Sequence, residues 1–320
     1  MKIDYCLILS AGMGTRMGNI GKVLPKPIWP IFESSMLELQ YLWAKKMGCK
    51  KVFINTHHLH FKIENFLKEK NFSDLEAIHE ETLLNTGGAL YNLKKKKKLN
   101  KGTILVVAGD QFYFFEEKTW LKALEIVKRS HGALFGLTVD GSENSYNELC
   151  LDNNLLKKIE NYSKRHHDRK TYITYSGLSL INLEMLEDRE GSLSFFDSVA
   201  NFDKKNISVL IPQNQEYWDF GTNERYYRGI RSLFEDFLRG KNTEFLKFCL
   251  NNNVFESSKV FRELKSYGDC GKTSFLNFGK VAEYDFFAMV KGNSEESAFS
   301  PNGFGLYYRD IFDQIEGELK

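Results

Sequence analysis

The chain has little of what marks the specialised protein classes. Its 320 residues include five prolines and five cysteines, and Cys6, Cys49, Cys150, Cys249 and Cys270 are scattered, odd in number and never spaced C-x-x-C. That scatter argues against a disulfide framework and a zinc site, and suits a reducing cytoplasm. No apolar run approaches the roughly 18 residues of a membrane-spanning helix. The start, Met1-Lys2-Ile3-Asp4, leads into an apolar run too short and too early for a secretory leader. An excess of one charge is missing as well. Lys and Arg (44) against Asp and Glu (42) leave +2, so bulk charge gives no ground for nucleic acid or a membrane as partner. No internal repeat and no Pro- or Ser-rich linker divides the chain. At 42% apolar and 27% charged residues, it reads as an ordinary globular protein.

What is present is an alternation of short apolar runs with helical patterns. Asp4 to Leu9 reads as a buried strand. Ser35 and Glu38 stand in capping-box spacing before an apolar-periodic stretch that stops at Gly48, which predicts a helix. Strands are expected at Lys51 to Asn55, Leu75 to His79 and Thr103 to Ala108, with helices at Leu59 to Lys70 and Thr86 to Lys98 between them. This pitch implies βαβ units, hence an α/β fold with a mostly parallel, Rossmann-like sheet covered on both faces. Past Asp110 the pattern loosens into a helix at Glu117 to Arg129 and β-rich runs at Gly132 to Val139, Glu148 to Leu151, Leu155 to Glu160 and Tyr172 to Ile181. A helix near Ser194 to Lys204, a strand at Ile207 to Ile211 and a long helix from Asn223 to Arg239 follow. The last part predicts helices at Thr243 to Asn252 and Ser257 to Ser266, strands at Val281 to Val290 and Phe304 to Tyr308, and a closing helix. The five lysines Lys94 to Lys98 read as the solvated end of a helix rather than as an anion patch.

The strongest local signal is Leu9-Ser10-Ala11-Gly12-Met13-Gly14-Thr15-Arg16-Met17-Gly18, directly after the first strand. Small residues at the carboxyl end of a parallel strand let backbone N–H groups approach a phosphate, in the crevice where open α/β sheets bind ligands. The glycine spacing is one residue too long for the dinucleotide fingerprint, and Asn55 stands where a ribose-binding acid would end the second strand, so a dehydrogenase is disfavoured. Arg16 and Lys26, the latter held between Pro25 and Pro27, are two cations on a stiff loop suited to a triphosphate. Asp110 follows a strand end, and Asp219 lies between a strand and the next helix. Such oxygen ligands, with positions left for phosphate, are what Mg²⁺ prefers.

Three look-alikes carry little. Asp219-Phe220-Gly221 spells a kinase triplet without the kinase catalytic loop, and Gly271-Lys272-Thr273 lacks the upstream glycine of a phosphate loop. His57, His58, His60, His166 and His167 have no Cys or acidic partner in zinc spacing, so a solvated or capping role is expected.

The stretch LSAGMGTRMG, Lys22-Val23-Leu24-Pro25-Lys26-Pro27-Ile28, Asn85-Thr86-Gly87-Gly88-Ala89, Ala108-Gly109-Asp110, Tyr175-Ser176-Gly177 and Asp219-Phe220-Gly221-Thr222 together resemble the sugar-1-phosphate nucleotidyltransferases. The resemblance runs over about residues 3 to 240 and is closest to the N-acetylmuramate-1-phosphate uridylyltransferase type. It implies a GT-A-like nucleotide-diphospho-sugar transferase fold over 1–240, with 241–320 as a small C-terminal α+β extension. By position, Ala11, Gly12, Gly14 and Thr15 would cradle the nucleotide, Arg16 would hold its phosphates, and Lys26 would contact the reacting centre. Glu81, Thr86, Gly87 and Gly88 would border the base pocket. Asp110 and Asp219 would ligate Mg²⁺, and Gly177 would present its backbone to the sugar, with Glu160 on a sugar hydroxyl. Ser10 stands where alanine or glycine is usual, and the family's E-K-P segment is reduced to Glu160-Asn161-Tyr162.

The implied reaction is in-line attack of a sugar-1-phosphate oxygen on the α-phosphorus of a nucleoside triphosphate, with pyrophosphate leaving. Positioning and charge neutralisation suffice, because the attacking oxygen is already ionised. Two rivals remain open: transfer to phosphocholine or a pterin cofactor, and an inactive nucleotide-sugar-binding regulatory protein. For the aromatic-rich C-terminal part, a separate activity, a small core and a homo-oligomer interface all stay open.

Overall fold

The computed structural model describes residues 3–15, 21, 24–31, 34–143, 145–162, 170–254, 274–281, 284–290 and 306–308. In chain order, the strands are β1 (Ile3–Leu9), β2 (Pro30–Ile31), β3 (Ser34–Ser35), β4 (Cys49–Thr56), β5 (Leu75–His79), β6 (Thr103–Ala108), β7 (Gln111–Phe115) and β8 (Gly132–Asp140). They continue with β9 (Asn147–Asp152), β10 (Leu155–Asn161), β11 (Thr171–Asn182), β12 (Ser208–Leu210), β13 (Gln215–Asp219), β14 (Ser274–Val281), β15 (Tyr284–Val290) and β16 (Leu306–Tyr308). The helices are α1 (Met36–Lys46), α2 (His60–Lys70), α3 (Asn85–Lys97), α4 (Glu117–Val127), α5 (Asn223–Leu238) and α6 (Glu244–Asn251).

The chain divides into two compact units, interleaved in sequence. The first comprises 1–12, 44–57 and 73–217, and the second 13–43, 58–72 and 218–320.

The first unit is built on a nine-stranded sheet in the order β5-β4-β1-β6-β11-β8-β12-β10-β9. The four strands β5-β4-β1-β6 are all parallel, as expected from their alternation with helices. β11 then enters antiparallel to both β6 and β8, so the sheet is mixed. Leu7, Phe53, Val106, Leu134 and Val209 lie within one buried cluster with Leu90 and Leu93 of α3. Each such side chain contributes on the order of 1.5–3 kcal/mol by leaving water. The lysine run closes α3 and is tied down along its length: Lys94 to Asp188 at 2.6 Å, Lys95 to Glu190, Lys96 to the His79 carbonyl at 2.7 Å, and Lys97 to Glu76. It is a paired helix end.

Two expectations are corrected. Ser194 to Lys204 forms turns, because Ser194, Ser198 and Asn201 turn their side chains onto one another's segment: Asp197 N and its carboxylate bond to Ser194 Oγ, and Asn201 Nδ2 reaches the Asp197 carbonyl at 3.0 Å. Such residues offer the backbone an alternative to the helical ladder. The run Val281 to Val290 is two strands, since Val281 ends β14 and pairs with Tyr284, the first residue of the antiparallel β15. β7 was unexpected. Its all-aromatic or polar sequence QFYFF has little period-2 contrast to betray a strand.

In the second unit the predicted capping box of α1 is made in both directions: Glu38 N donates to Ser35 Oγ (3.1 Å) and Ser35 N to Glu38 Oε2 (2.8 Å). α6 follows α5 and is capped by Thr243, whose Oγ1 accepts from Leu246 N at 3.3 Å. β14, β15 and β16 form a separate three-stranded sheet. Ser257 to Ser266, Gly271 to Thr273 and the closing helix lie outside the described residues.

Candidate functional site

In the first unit, strand register brings several candidate residues to one level. Leu9 pairs with Asn55 on one side and Ala108 on the other, and Asn55 in turn pairs with Ile78. The chain therefore leaves β1, β4, β5 and β6 along a single carboxyl edge, where Ser10-Ala11-Gly12, Glu80 and Gly109-Asp110 emerge. Gly109 N donates to the Leu9 carbonyl at 3.0 Å, binding the two loops together. A Cβ on Gly109 would collide with Ser10 Oγ and lie 2.7 Å from the Leu9 oxygen, so only glycine lets the loops approach this closely. Ser10 Oγ is buried there without a hydrogen-bond partner among the described residues. Asp110, half-buried, follows directly.

Gly177 reaches the same edge from β11. The register of β11 against β8 shifts between Tyr175 and Ser179, and Gly177 sits in that irregularity with φ +80°. A side chain there would strike Gln111 Oε1 and stand 3.1 Å from Ala108 Cβ. A glycine is demanded twice over, by the backbone angle and by the space.

The 80–88 segment runs from the end of β5 into α3. Glu81 is exposed, whereas its neighbour Glu80 is 1% exposed and 2.9 Å from Asn55 Nδ2. Leu84 N donates to the other Glu80 oxygen at 3.2 Å, and Asn55 Oδ1 accepts from Ser10 N at 2.7 Å. His57 Nδ1 lies 2.8 Å from the Glu80 carbonyl, which gives that histidine a backbone partner. Thr86 is partly exposed in the first turn of α3. Gly87 and Gly88 are buried, and both donate their N–H groups to the Leu193 carbonyl (2.9 and 3.1 Å). Added Cβ atoms would meet Ser198, Ser194 and Gly191, so the two glycines serve close packing of α3 on the 191–198 turns. Glu160 is not brought to this edge by strand pairing. It lies on β10, ion-paired with Lys158 and 3.7 Å from Cys150 Sγ. Burial, reinforced by Glu160 and Glu148, raises the Cys150 thiol above its ordinary value and keeps it protonated.

In the second unit, Asp219 and the turn after Lys26 each meet α5. Lys26 opens a one-turn 3₁₀ segment, Lys26–Ile28, preceded by Pro25, with Trp29 N donating to the Lys26 carbonyl at 2.9 Å. Trp29 is fully buried, donates Nε1 to the Leu24 carbonyl (3.2 Å) and meets Tyr226 of α5 edge to face at 5.2 Å. Asp219 is anchored by Arg225, the residue just before Tyr226 on that helix. Its Oδ1 accepts from Gly221 N at 2.6 Å and its Oδ2 from Arg225 at 2.8 Å. Gly14 takes φ +67°, and a Cβ there would come 3.1 Å from the Gly21 carbonyl. Thr15 is exposed. Arg16, His166 and His167 lie outside the described residues.

Sequence reasoning noted Asn55 only as standing in place of a ribose-binding acid, and did not single out Glu80 or Arg225. Asn55 and Glu80 lie at strand carboxyl ends, where open α/β sheets bind ligands, and that position was readable for Glu80. Arg225 lies in the first turn of a helix, where nothing in the sequence distinguishes it.

Among the described residues, no three His, Cys, Asp or Glu side chains converge into a protein-only metal cage. None of the described helices is long and apolar enough to cross a membrane.

Residues 5–231 match the model of the Nucleotidyl transferase family, and the chain belongs to that family. It is 32% identical over 108 residues to the D-glycero-alpha-D-manno-heptose 1-phosphate guanylyltransferase of Campylobacter jejuni, a match covering 33% of this chain and 48% of that protein. The match thus spans about half the length of that curated relative. The crystal structure of HddC from Yersinia pseudotuberculosis has the same fold, with a TM-score of 0.59 at 23% identity, covering 72% of this chain and 99% of that one. Its complex with GMP-PN aligns with a TM-score of 0.58 at 22% identity and covers the same shares.

Proposed function

We propose that this protein is a sugar-1-phosphate nucleotidyltransferase: a sugar-1-phosphate oxygen displaces pyrophosphate from the α-phosphorus of a nucleoside triphosphate, giving a nucleotide-diphospho-sugar. The observation that carries the reading is the shared edge at which Ser10-Ala11-Gly12, Asp110 and Gly177 emerge from adjacent strands, in a chain of the Nucleotidyl transferase family. Backbone amides of Ala11, Gly12, Gly14 and Thr15 would cradle the triphosphate. Lys26 and Arg16 would offset the charge that develops on the leaving pyrophosphate. Gly177 would offer the sugar an uncovered backbone. Glu81 and Thr86 would border the base, and Glu160 would take a sugar hydroxyl.

The donor set suits a hard divalent cation. Asp110 lies between β6 and β7 and Asp219 is the last residue of β13, and Mg²⁺ characteristically takes one or two carboxylates plus substrate phosphates rather than a full protein cage. Held by Asp110 and Asp219, Mg²⁺ would supply charge neutralisation on the phosphates. Arg225 orients Asp219, and the prolines flanking Lys26 limit its backbone, so the groups this chain contributes are preset before substrate arrives. The four described cysteines are free thiols, which suits a cytoplasmic enzyme with small-molecule partners. Residues 241–320 would be a C-terminal extension that includes a homo-oligomer contact.

The heptose-phosphate guanylyltransferase likeness puts GTP first among the nucleotides to try. The test is pyrophosphate release from GTP, UTP, CTP and dTTP, each with Mg²⁺, against a panel of sugar-1-phosphates, with phosphocholine and molybdopterin as control acceptors. Turnover with a sugar-1-phosphate is expected. Turnover only with a non-sugar acceptor, or with none, would refute the reading.

A further inference from the structure

Glu80, the buried acid at the carboxyl edge of the sheet, has no part in the scheme above, and its bonding is unusually directional. It accepts from Asn55 Nδ2 at 2.9 Å through one oxygen and from Leu84 N at 3.2 Å through the other. Asn55, 5% exposed, accepts from Ser10 N at 2.7 Å. The chain of bonds thus runs Ser10 N–H to Asn55 to Glu80 to Leu84 N–H and joins segments 45, 25 and 4 residues apart. A carboxylate can only accept, so Glu80 compels Asn55 to turn its NH₂ inward and its carbonyl toward Ser10. Ser10 immediately precedes Ala11-Gly12, and Leu84 immediately precedes the first residue of α3, Asn85, which is held at φ +58°.

We propose that Asn55 and Glu80 are positioning residues for the nucleotide: a buried relay that sets the glycine-rich loop and the start of α3 relative to each other, so that phosphate and base are met by two segments in fixed register. This inference rests on the nucleotidyltransferase reading. Buried polar chains with every member satisfied are rigid, and a half-satisfied one is worse than none. The acid does its work without touching substrate.

The chemistry provides its own rescue. In Glu80→Gln, the new amide presents an N–H₂ to the Asn55 N–H₂ or gives up Leu84 N, and the relay breaks. In the double variant Asn55→Asp with Glu80→Gln, all three bonds can be made again. The carboxylate introduced at position 55 accepts from Ser10 N and from the amide introduced at position 80, and the carbonyl of that amide accepts from Leu84 N.

The experiment measures nucleotide affinity and steady-state constants for the full chain with GTP, UTP, CTP or dTTP and Mg²⁺. For Glu80→Gln, a rise of about tenfold in nucleotide Kd and KM is expected, with kcat and the sugar-1-phosphate KM within about twofold. The double variant should return to within about threefold of the wild type. A merely structural acid would lower the melting temperature and leave that KM-against-kcat split unmoved, and this result overturns the proposal. Should Glu80→Gln not fold, the double variant decides alone, and affinity more than about tenfold weaker than wild type overturns it. A wild-type chain that binds none of the four nucleotides overturns the functional reading and the relay with it. Normal binding by both the wild type and Glu80→Gln overturns only the relay.

Discussion

The two units hold their candidate residues by different physics. In the first, position is set by backbone: neighbouring parallel strands in register, a carbonyl that accepts from Gly109 N, and glycines where a side chain would collide. In the second, Lys26 and Asp219 are placed by side chains that seat on α5, an indole against Tyr226 for one and a guanidinium from Arg225 for the other. A site held by strand ends tolerates side-chain change at many positions but no displacement of the ladder. A site held by ring packing and one ion pair fails through single substitutions remote from the chemistry.

The largest effect should ignore this distinction. Asp110→Asn and Asp219→Asn are each expected to cut pyrophosphate release by about 100-fold or more, since both remove charge from the proposed metal site. Near-normal rates in both would detach the aspartates from the reaction. The next should expose the distinction. Trp29→Ala leaves a large hole under the Lys26 turn and should cost about 3–5 kcal/mol in urea unfolding of the second unit. A cost below about 1 kcal/mol would show that the turn does not depend on its indole.

In the first unit, Gly177→Ala should cost about 1–3 kcal/mol through its positive φ and its collision with Gln111. Adding Gln111→Ala should recover part of that loss, and strict additivity would mean that the collision is absent. The smallest effect is a pH dependence at Asp4. Burial pushes its carboxyl up, but bonds from Lys50 and Thr103 N outweigh this and hold it below the ordinary 3.8. A group lowered on folding stabilises above its unfolded value and loses that stabilisation as the pH falls through its folded one. The stability gap between wild type and Asp4→Asn should therefore narrow as the pH is taken below about 4. A gap that widens there would reverse the sign.

The parts that sequence made legible are those where a local rule and the final structure coincide. β1, β4, β5 and β6 were readable because a buried parallel strand is a continuous apolar run, and the capping box at Ser35 and Glu38 is a rule of spacing alone. The crossing to antiparallel pairing at β11 left no local trace, since the partner of a strand is chosen by distant residues. Ser194 to Lys204, where a helix was expected, forms turns because serine and asparagine side chains capture the backbone. Within the candidate site, Gly12 and Asp110 could be located by residue type and strand end, and Gly177 only through the family resemblance. The choice of Glu80 over Glu81 as the buried acid required knowing which side of the chain faces Asn55, which no spacing of two adjacent glutamates can reveal.

The tryptophans divide unevenly between the units. Of the four, Trp29, Trp43 and Trp218 fall in the second, and the first has Trp120 alone, stacked on Phe135 at 5.6 Å. Indole emission therefore reports mainly on one part of the molecule, while the far-ultraviolet signal, drawn from helices and strands of both, reports on the whole. Melting curves followed by the two optical probes would separate if the parts lose structure independently and coincide if they come apart as one.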